Sequence, residues 1–316
     1  MPLPTAVAAV GARLRATHLA GGLDLPLPGA GRTVDRWLAL AELAADDLSL
    51  ARLAEAHADA VAIQCELGAP VEPGLWGVWA AEPPAARLEA VRQGEGWVLS
   101  GRKAWCSGAQ VLDRALVTAH AVDGRRLFAV AVADLVPVEG TWAAVGMAAS
   151  GSVSVDLTAV AAIPVGGPGA YLDRPGFWHG GAGVAACWYG GAVGAGRLLL
   201  RAARDTDLDP HALAHLGAVD AVVTGMLAHL RVAAAEVDAD PTGPGAQLRA
   251  SRLRSHVEAG ATQVLDRVGR ALGAGPLCLD PRHARRAADL PVYLRQSHAE
   301  RDLAGLGALA ATGATW

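Results

Sequence analysis

Residues 88–135 constrain this chain more than any other stretch. The segment LEAVRQGEGWVLSGRKAW, from residue 88, sets two apolar runs about Gly94, Glu95 and Gly96; RALVTAHAVDGRRLFAVAVADL, from residue 114, sets two more about Asp123 and Gly124. Asp-Gly between alternating runs is a strong hairpin signal, because such residues reach the left-handed backbone that a two-residue turn needs. Residues 145–165, VGMAASGSVSVDLTAVAAIPV, add further alternating segments. The pattern predicts an antiparallel barrel or sandwich.

Helical texture flanks this part on both sides. Over residues 35–68, Leu43, Leu50, Leu53, Ala54, Val61 and Cys65 recur at helical spacing with charged residues between them. The Pro73 and Gly74 pair in VEPG marks the change of texture. Residues 216–238 and 246–273 read as two long helices joined by ADPTGPG, which suggests an antiparallel bundle. No internal repeat is evident. The expectation is therefore an α+β multidomain chain, with an N-terminal helical region (1–72), a middle antiparallel β-barrel (73–168) and a C-terminal helix bundle (169–316).

Composition excludes several classes. At 316 residues, 52% hydrophobic and 18% charged, the chain can bury sizeable cores. A formal charge of -4 leaves no electrostatic footprint for nucleic acid, so a small molecule or another protein is the expected partner. Cys65, Cys106, Cys187 and Cys278 lie far apart without a CxxC pair, which indicates neither a metal site nor a disulfide framework. A reduced, cytoplasmic setting is expected. The first residues lack the long apolar core of a signal peptide, and no uninterrupted apolar run of about 18 residues suggests a membrane span.

Four blocks, AAEPP (80–84), GWVLSGRKAWCSGA (96–109), VGMAASGSVSVDL (145–157) and ALGAGP (271–276), occur in an order and spacing that resembles the acyl-CoA dehydrogenase superfamily of flavoproteins. The resemblance runs from about residue 41 to 303 and identifies a divergent member with a shortened N-terminal helical region. It implies bound FAD, with Trp105 as the aromatic beside the isoalloxazine and Ser107 as the hydroxyl at its N5 region. A hydroxyl donor there helps to fix the ring and stabilises charge on reduction. The bland alternative is a core Trp at a strand end followed by a turn Ser. Ala81 stands where relatives carry a flavin-contacting Thr or Ser, so backbone amides would serve there. Gly273 and Gly275 resemble the glycine turn beneath the adenosine portion; as a bare sequence they read equally as a helix C-cap.

Two further departures shape the function. The family Arg that grips the FAD pyrophosphate has no counterpart in LDPHALAHLGAV, residues 208–219. Where dehydrogenases carry their catalytic Glu, the chain has Ser297 and His298, with Glu300 about one helical turn away. Glu300 would serve as the base of a dehydrogenase. His298 resembles instead the flavin monooxygenase branch, in which His acts as proton donor or orienting partner. An exposed helix face with i,i+3 and i,i+4 pairs is the plain alternative for both. Three functions follow: an FAD-dependent oxidoreductase acting on an acyl thioester such as an acyl-CoA, a monooxygenase fed by a reductase or electron-transfer partner, or a non-catalytic, flavin-free subunit of a hetero-oligomer. A homo-oligomer, dimer or tetramer, is implied by the resemblance.

Other motifs carry less. The Gly-rich stretch 180–196 imitates a dinucleotide fingerprint but lacks the preceding strand; Gly190 and Gly194 suit close helix packing instead. Trp178, His179, Trp188 and Tyr189 read as buried aromatic packing or a substrate cavity lining. RASRLRSH and PRHARR read as solvated helix faces, with a phosphate group of a nucleotide as the functional alternative.

Overall fold

The structure, a computed structural model, describes residues 3–313. The chain starts with helices α1 (Thr5–Leu19), α2 (Thr33–Asp46) and α3 (Leu48–Glu66). Seven strands follow: β1 (Trp76–Trp79), β2 (Leu88–Gln93), β3 (Gly96–Lys103), β4 (Arg114–Ala121), β5 (Gly124–Ala131), β6 (Val136–Val138) and β7 (Ser154–Val165). Then come α4 (Ala170–Asp173), α5 (Gly176–Asp205), α6 (Pro210–Ala239), α7 (Ala246–Leu272), α8 (Gly275–Leu279), α9 (Pro281–Leu294) and α10 (Glu300–Gly313).

The described residues fall into two compact units. The first holds the chain up to Leu25 with Arg52–Ala144 and Ala148–Phe177; the second holds Pro26–Ala51, Val145–Met147 and the residues from Trp178 onward.

Strand pairing in the first unit closes on itself. β4, β2, β3, β7 and β5 follow one another and β5 returns to β4, a small barrel with β1 on β4 and β6 on β7. Closure removes the bare edges that an open sheet presents. Both expected hairpins form: Gln93 pairs with Gly96 and Ala121 with Gly124, with Gly94 and Gly124 at positive φ. The sheet is mixed and not purely antiparallel, because β1 runs parallel to β4 and β2 meets β4 in a parallel bridge at Glu89 and His120. Local alternation predicts strands but carries no information on which non-adjacent strands meet: β1 and β2 meet β4 in parallel, while β3 and β5 meet β7 antiparallel. Ala60 and Ile63 of α3 pack on Trp76, Leu116, Leu127 and Val165, a core between helix and sheet.

The second unit is helical. The single amphipathic region expected over 35–68 is broken at Asp47, which is extended and caps α3 by accepting from the Leu50 amide at 3.0 Å. Asp209 and Asp280 likewise cap α6 and α9, each followed by a proline at the first helical position. α6 and α7 run antiparallel, as the pairs Glu236 with Arg249, His229 with His256 and His215 with Arg267 show. Within α5, a Cβ on Gly190 would lie 2.1 Å from the Ala41 carbonyl and one on Gly194 2.6 Å from that of Ala45, so the glycines allow α5 to lie against α2. α6 is long and apolar enough to cross a membrane by length and composition. One stripe of it, including Val219, Met226, Leu230 and Ala233, is buried, while Leu213 and Val232 are exposed.

Candidate functional site

The segment after β3 leaves the sheet through a strained backbone. Trp105 has φ +56, a left-handed conformation that bulky residues avoid, and the residue is 54% exposed. Holding a non-glycine residue there costs roughly 1–2 kcal/mol, so the surroundings must enforce it. They do so through the residues that follow. The Cys106 amide donates to the Val153 carbonyl at 2.9 Å, and the Gly108 amide to that of Ser150 at 2.8 Å. Gly108, at φ +75, has no room for a Cβ: Leu112 and Leu53 would lie within 2.9 Å of one. Ser107 turns inward, its hydroxyl 2.7 Å from that of Ser152, which meets Ser150 at 2.8 Å. Its carbonyl accepts from the Trp79 indole at 3.0 Å. The result is an indole offered to solvent from a firmly laced backbone.

In the same unit lies a charge network that sequence reading did not single out. Lys103, at the end of β3, is 2% exposed, and its ammonium donates to the carbonyl and hydroxyl of Thr118, both at 2.8 Å. Glu82 stands 3.5 Å from that ammonium, 3.0 Å from Arg125 Nε and 3.1 Å from His120 Nε2, and accepts from the Thr118 hydroxyl at 2.9 Å. Burial pushes the Lys103 pKa down to about 8, against the pull of Glu82, while Arg125 lowers it further. For Glu82, burial acts upward, but Lys103, the Thr118 hydroxyl, Arg125 and His120 outweigh it and hold the carboxyl below its usual range. Glu82 follows Ala81 directly, so the network joins the loop after β1 to the end of β3. The half-buried Ala81 amide has no hydrogen-bond partner among the described residues and remains available as a donor. A Lys two residues before Trp105 and a Glu beside Ala81 were the legible signals; only the fold pairs them.

The remaining candidates sit in the helical unit. Gly273 ends α7 at φ +63, its amide donating to the Gly269 carbonyl at 2.9 Å, and Gly275 opens α8. Nothing lies within 4 Å of a Cβ at either, so Gly273 is required by its backbone conformation and not by close packing. His298 is exposed, its Nδ1 3.3 Å from Asp302 Oδ1 and its amide 3.0 Å from Asp302 Oδ2. Glu300, also exposed, is in the first turn of α10, and its carboxylate makes no hydrogen bond or ion pair among the described residues. Asp302, not Glu300, is thus the acid tied to His298; the i,i+4 spacing in HAERD is its sequence signal. Trp188 and Tyr189 are buried, with Arg254 stacked 4.6 Å from the Trp188 ring. Asp289 of α9 accepts from the Met147 amide at 2.5 Å, and burial raises its pKa to about 6 although that bond opposes the rise.

The chain matches no protein-family model and no curated protein sequence. Solved structures match along nearly its whole length. The dibenzothiophene monooxygenase TdsC of Paenibacillus sp. A11-2, solved with FMN and indole, is 19% identical with TM-score 0.75, over 96% of this chain and 95% of that one. Methanesulfinate monooxygenase MsuC of Pseudomonas fluorescens is 18% identical, TM-score 0.75, over 98% and 97%. The 3-HSA hydroxylase of Rhodococcus sp. RHA1 is 16% identical, TM-score 0.76, over 98% and 96%. The fold is acyl-CoA dehydrogenase-like, as expected from the sequence blocks.

Proposed function

We propose that this chain is a flavin-dependent monooxygenase that takes reduced flavin from a separate reductase and oxygenates a small molecule. The observation that carries the reading is Trp105: an aromatic ring half exposed on a backbone forced into a left-handed conformation, in the same unit as the available Ala81 amide. Strain of this kind persists where the surroundings over-determine it, and it concentrates at ligand sites. Rings and available amide donors are what a planar, hydrogen-bonding heterocycle requires. FMN is favoured over the FAD expected from the superfamily at large. TdsC was solved with FMN, and residues 208–219 contain no arginine for a second phosphate.

When bound, the reduced flavin supplies the electrons that activate dioxygen. The chain's own residues do the rest. Trp105 and the Ala81 amide would hold the ring, and the Ser107–Ser152–Ser150 hydroxyl chain fixes the loop that carries the indole. His298, its Nδ1 held by Asp302, handles protons at Nε2. The acyl-CoA dehydrogenase reading is disfavoured because the position of the base carries Ser297 and His298, and Glu300 lacks a partner among the described residues that would orient it.

Titration with FMN, read by quenching of its fluorescence, is the test. Saturable uptake, followed by oxygen-dependent turnover only after external reduction, is the expected result. Bleaching by an acyl-CoA without a reductase restores the dehydrogenase reading, and a chain that takes up neither FMN nor FAD is a non-catalytic subunit.

A further inference from the structure

Three pairs of charged residues at i,i+4 spacing face one another in the helical unit. Glu42 and Asp46 are on α2, Arg197 and Arg201 on α5, and Arg282 and Arg286 on α9. Together with Asp280, Gly194 and Ala45 they line a cavity of about 250 Å³. That volume is just below the roughly 300 Å³ at which ordinary small-molecule pockets begin, which limits an occupant to a small group.

The charges do not balance. Four arginines meet three carboxylates, and each carboxylate is already engaged. Glu42 takes Arg197 in a two-point pair at 2.8 and 3.2 Å, and Asp46 pairs with Arg282. Asp280 caps α9, accepting from the Arg282 and His283 amides at 2.9 and 3.1 Å. Arg286 reaches no carboxylate among the described residues and gives one N–H to the Ala45 carbonyl at 2.8 Å. The Arg201 guanidinium has no hydrogen-bond partner among the described residues. Gly194 makes room for the Arg286 guanidinium, since a Cβ there would lie 2.6 Å from its Nε. Burial, and then Arg282 and Arg201, hold Arg286 below the usual arginine value, although Asp280 and Asp46 pull the other way.

We infer that Arg201 and Arg286 form an oxyanion subsite, and that its ligand is a phosphate group, free or as a small monoester. A tetrahedral dianion neutralises two guanidiniums at once and accepts from both forks, whereas a planar monocarboxylate neutralises one. The site lies within the helical unit and uses none of the residues assigned to flavin.

The experiment is calorimetric titration of the flavin-free chain with inorganic phosphate and with methyl phosphate, against acetate at equal ionic strength. Saturable binding of phosphate and not acetate is expected, with Arg201→Ala weakening it tenfold or more. Because Arg201 is exposed, that variant keeps the fold; Arg201→Glu, which places a carboxylate beside Arg286, abolishes phosphate binding and raises Tm without ligand. Tighter binding of methyl phosphate assigns the site to an esterified ligand, and equal or weaker binding to the free ion. Acetate binding equal to phosphate, or unchanged binding by Arg201→Ala, overturns the inference. So does loss of FMN uptake in Arg201→Ala, since the cavity would then belong to the flavin site.

Discussion

The Lys103 ammonium of β3 donates to both oxygens of Thr118, its carbonyl and its hydroxyl, 2.8 Å away on β4. The two strands are not neighbours, because β2 lies between them in the sheet. A buried cation therefore spans the barrel interior, and Glu82 is its nearest carboxylate.

Removing that carboxylate leaves a buried ammonium without its counter-charge, a loss of about 1–3 kcal/mol once the residual bonds to Thr118 are allowed for. Glu82→Gln is expected to lower the urea midpoint accordingly. The pH dependence has a definite sign. Lys103 titrates at about 8 in the folded chain, below its unfolded value, so stability rises as pH climbs from about 8 toward the unfolded value and is lost as pH falls through about 8. In the variant the rise begins at lower pH. A midpoint and pH profile equal to those of the parent chain would show that Glu82 does not support Lys103.

Trp105→Gly and Trp105→Ala separate backbone from ring. Both remove the indole and are expected to weaken FMN uptake by tenfold or more. Only glycine relieves the left-handed strain, so the glycine variant should be more stable than the alanine variant by roughly 1 kcal/mol. Equal stabilities in chemical denaturation would mean that the positive φ of Trp105 is not maintained in solution.

For proton handling, His298→Ala is expected to reduce oxygen-dependent turnover on the order of a hundredfold, as for a general acid or base. Asp302→Asn should cost less, since it disturbs the orientation of the ring and leaves the imidazole in place. Glu300→Ala should change little. Steady-state turnover with externally reduced FMN decides the ranking, and a larger loss at Glu300 would transfer the role to that carboxylate.

Asp289 gives a prediction for acid pH. Its folded pKa of about 6 is above the unfolded value of roughly 3.9, so its contribution to stability is complete below about 4 and is lost as pH rises through about 6. The span amounts to roughly 2–3 kcal/mol. Asp289→Asn keeps an oxygen to accept the Met147 amide and removes the titration, so its stability should be flatter between pH 4 and 6 and higher than the parent chain's at pH 7. Thermal unfolding of the two chains across that range is the measurement; parallel curves would rule the assignment out.

Residue order and spacing were enough to define most of the secondary structure. Gly94 and the Asp123-Gly124 pair fix two hairpins, the breaker-bounded segments give α6 and α7, and the small residues at 190 and 194 allow α5 to approach α2, because turns and helix faces are local properties of the chain. Trp105, Ser107 and Ala81 were singled out only through the resemblance to a family, Ala81 as a departure from its pattern. Tertiary structure alone decided the rest: the parallel meetings of β1 and β2 with β4, the Glu82–Lys103 pair, and the facing arginines of α5 and α9. Most of these join residues far apart in the sequence, as Glu82 and Lys103 or Arg197 and Arg282 are. Electrostatic interaction and burial follow distance in space, and the linear pattern does not encode it.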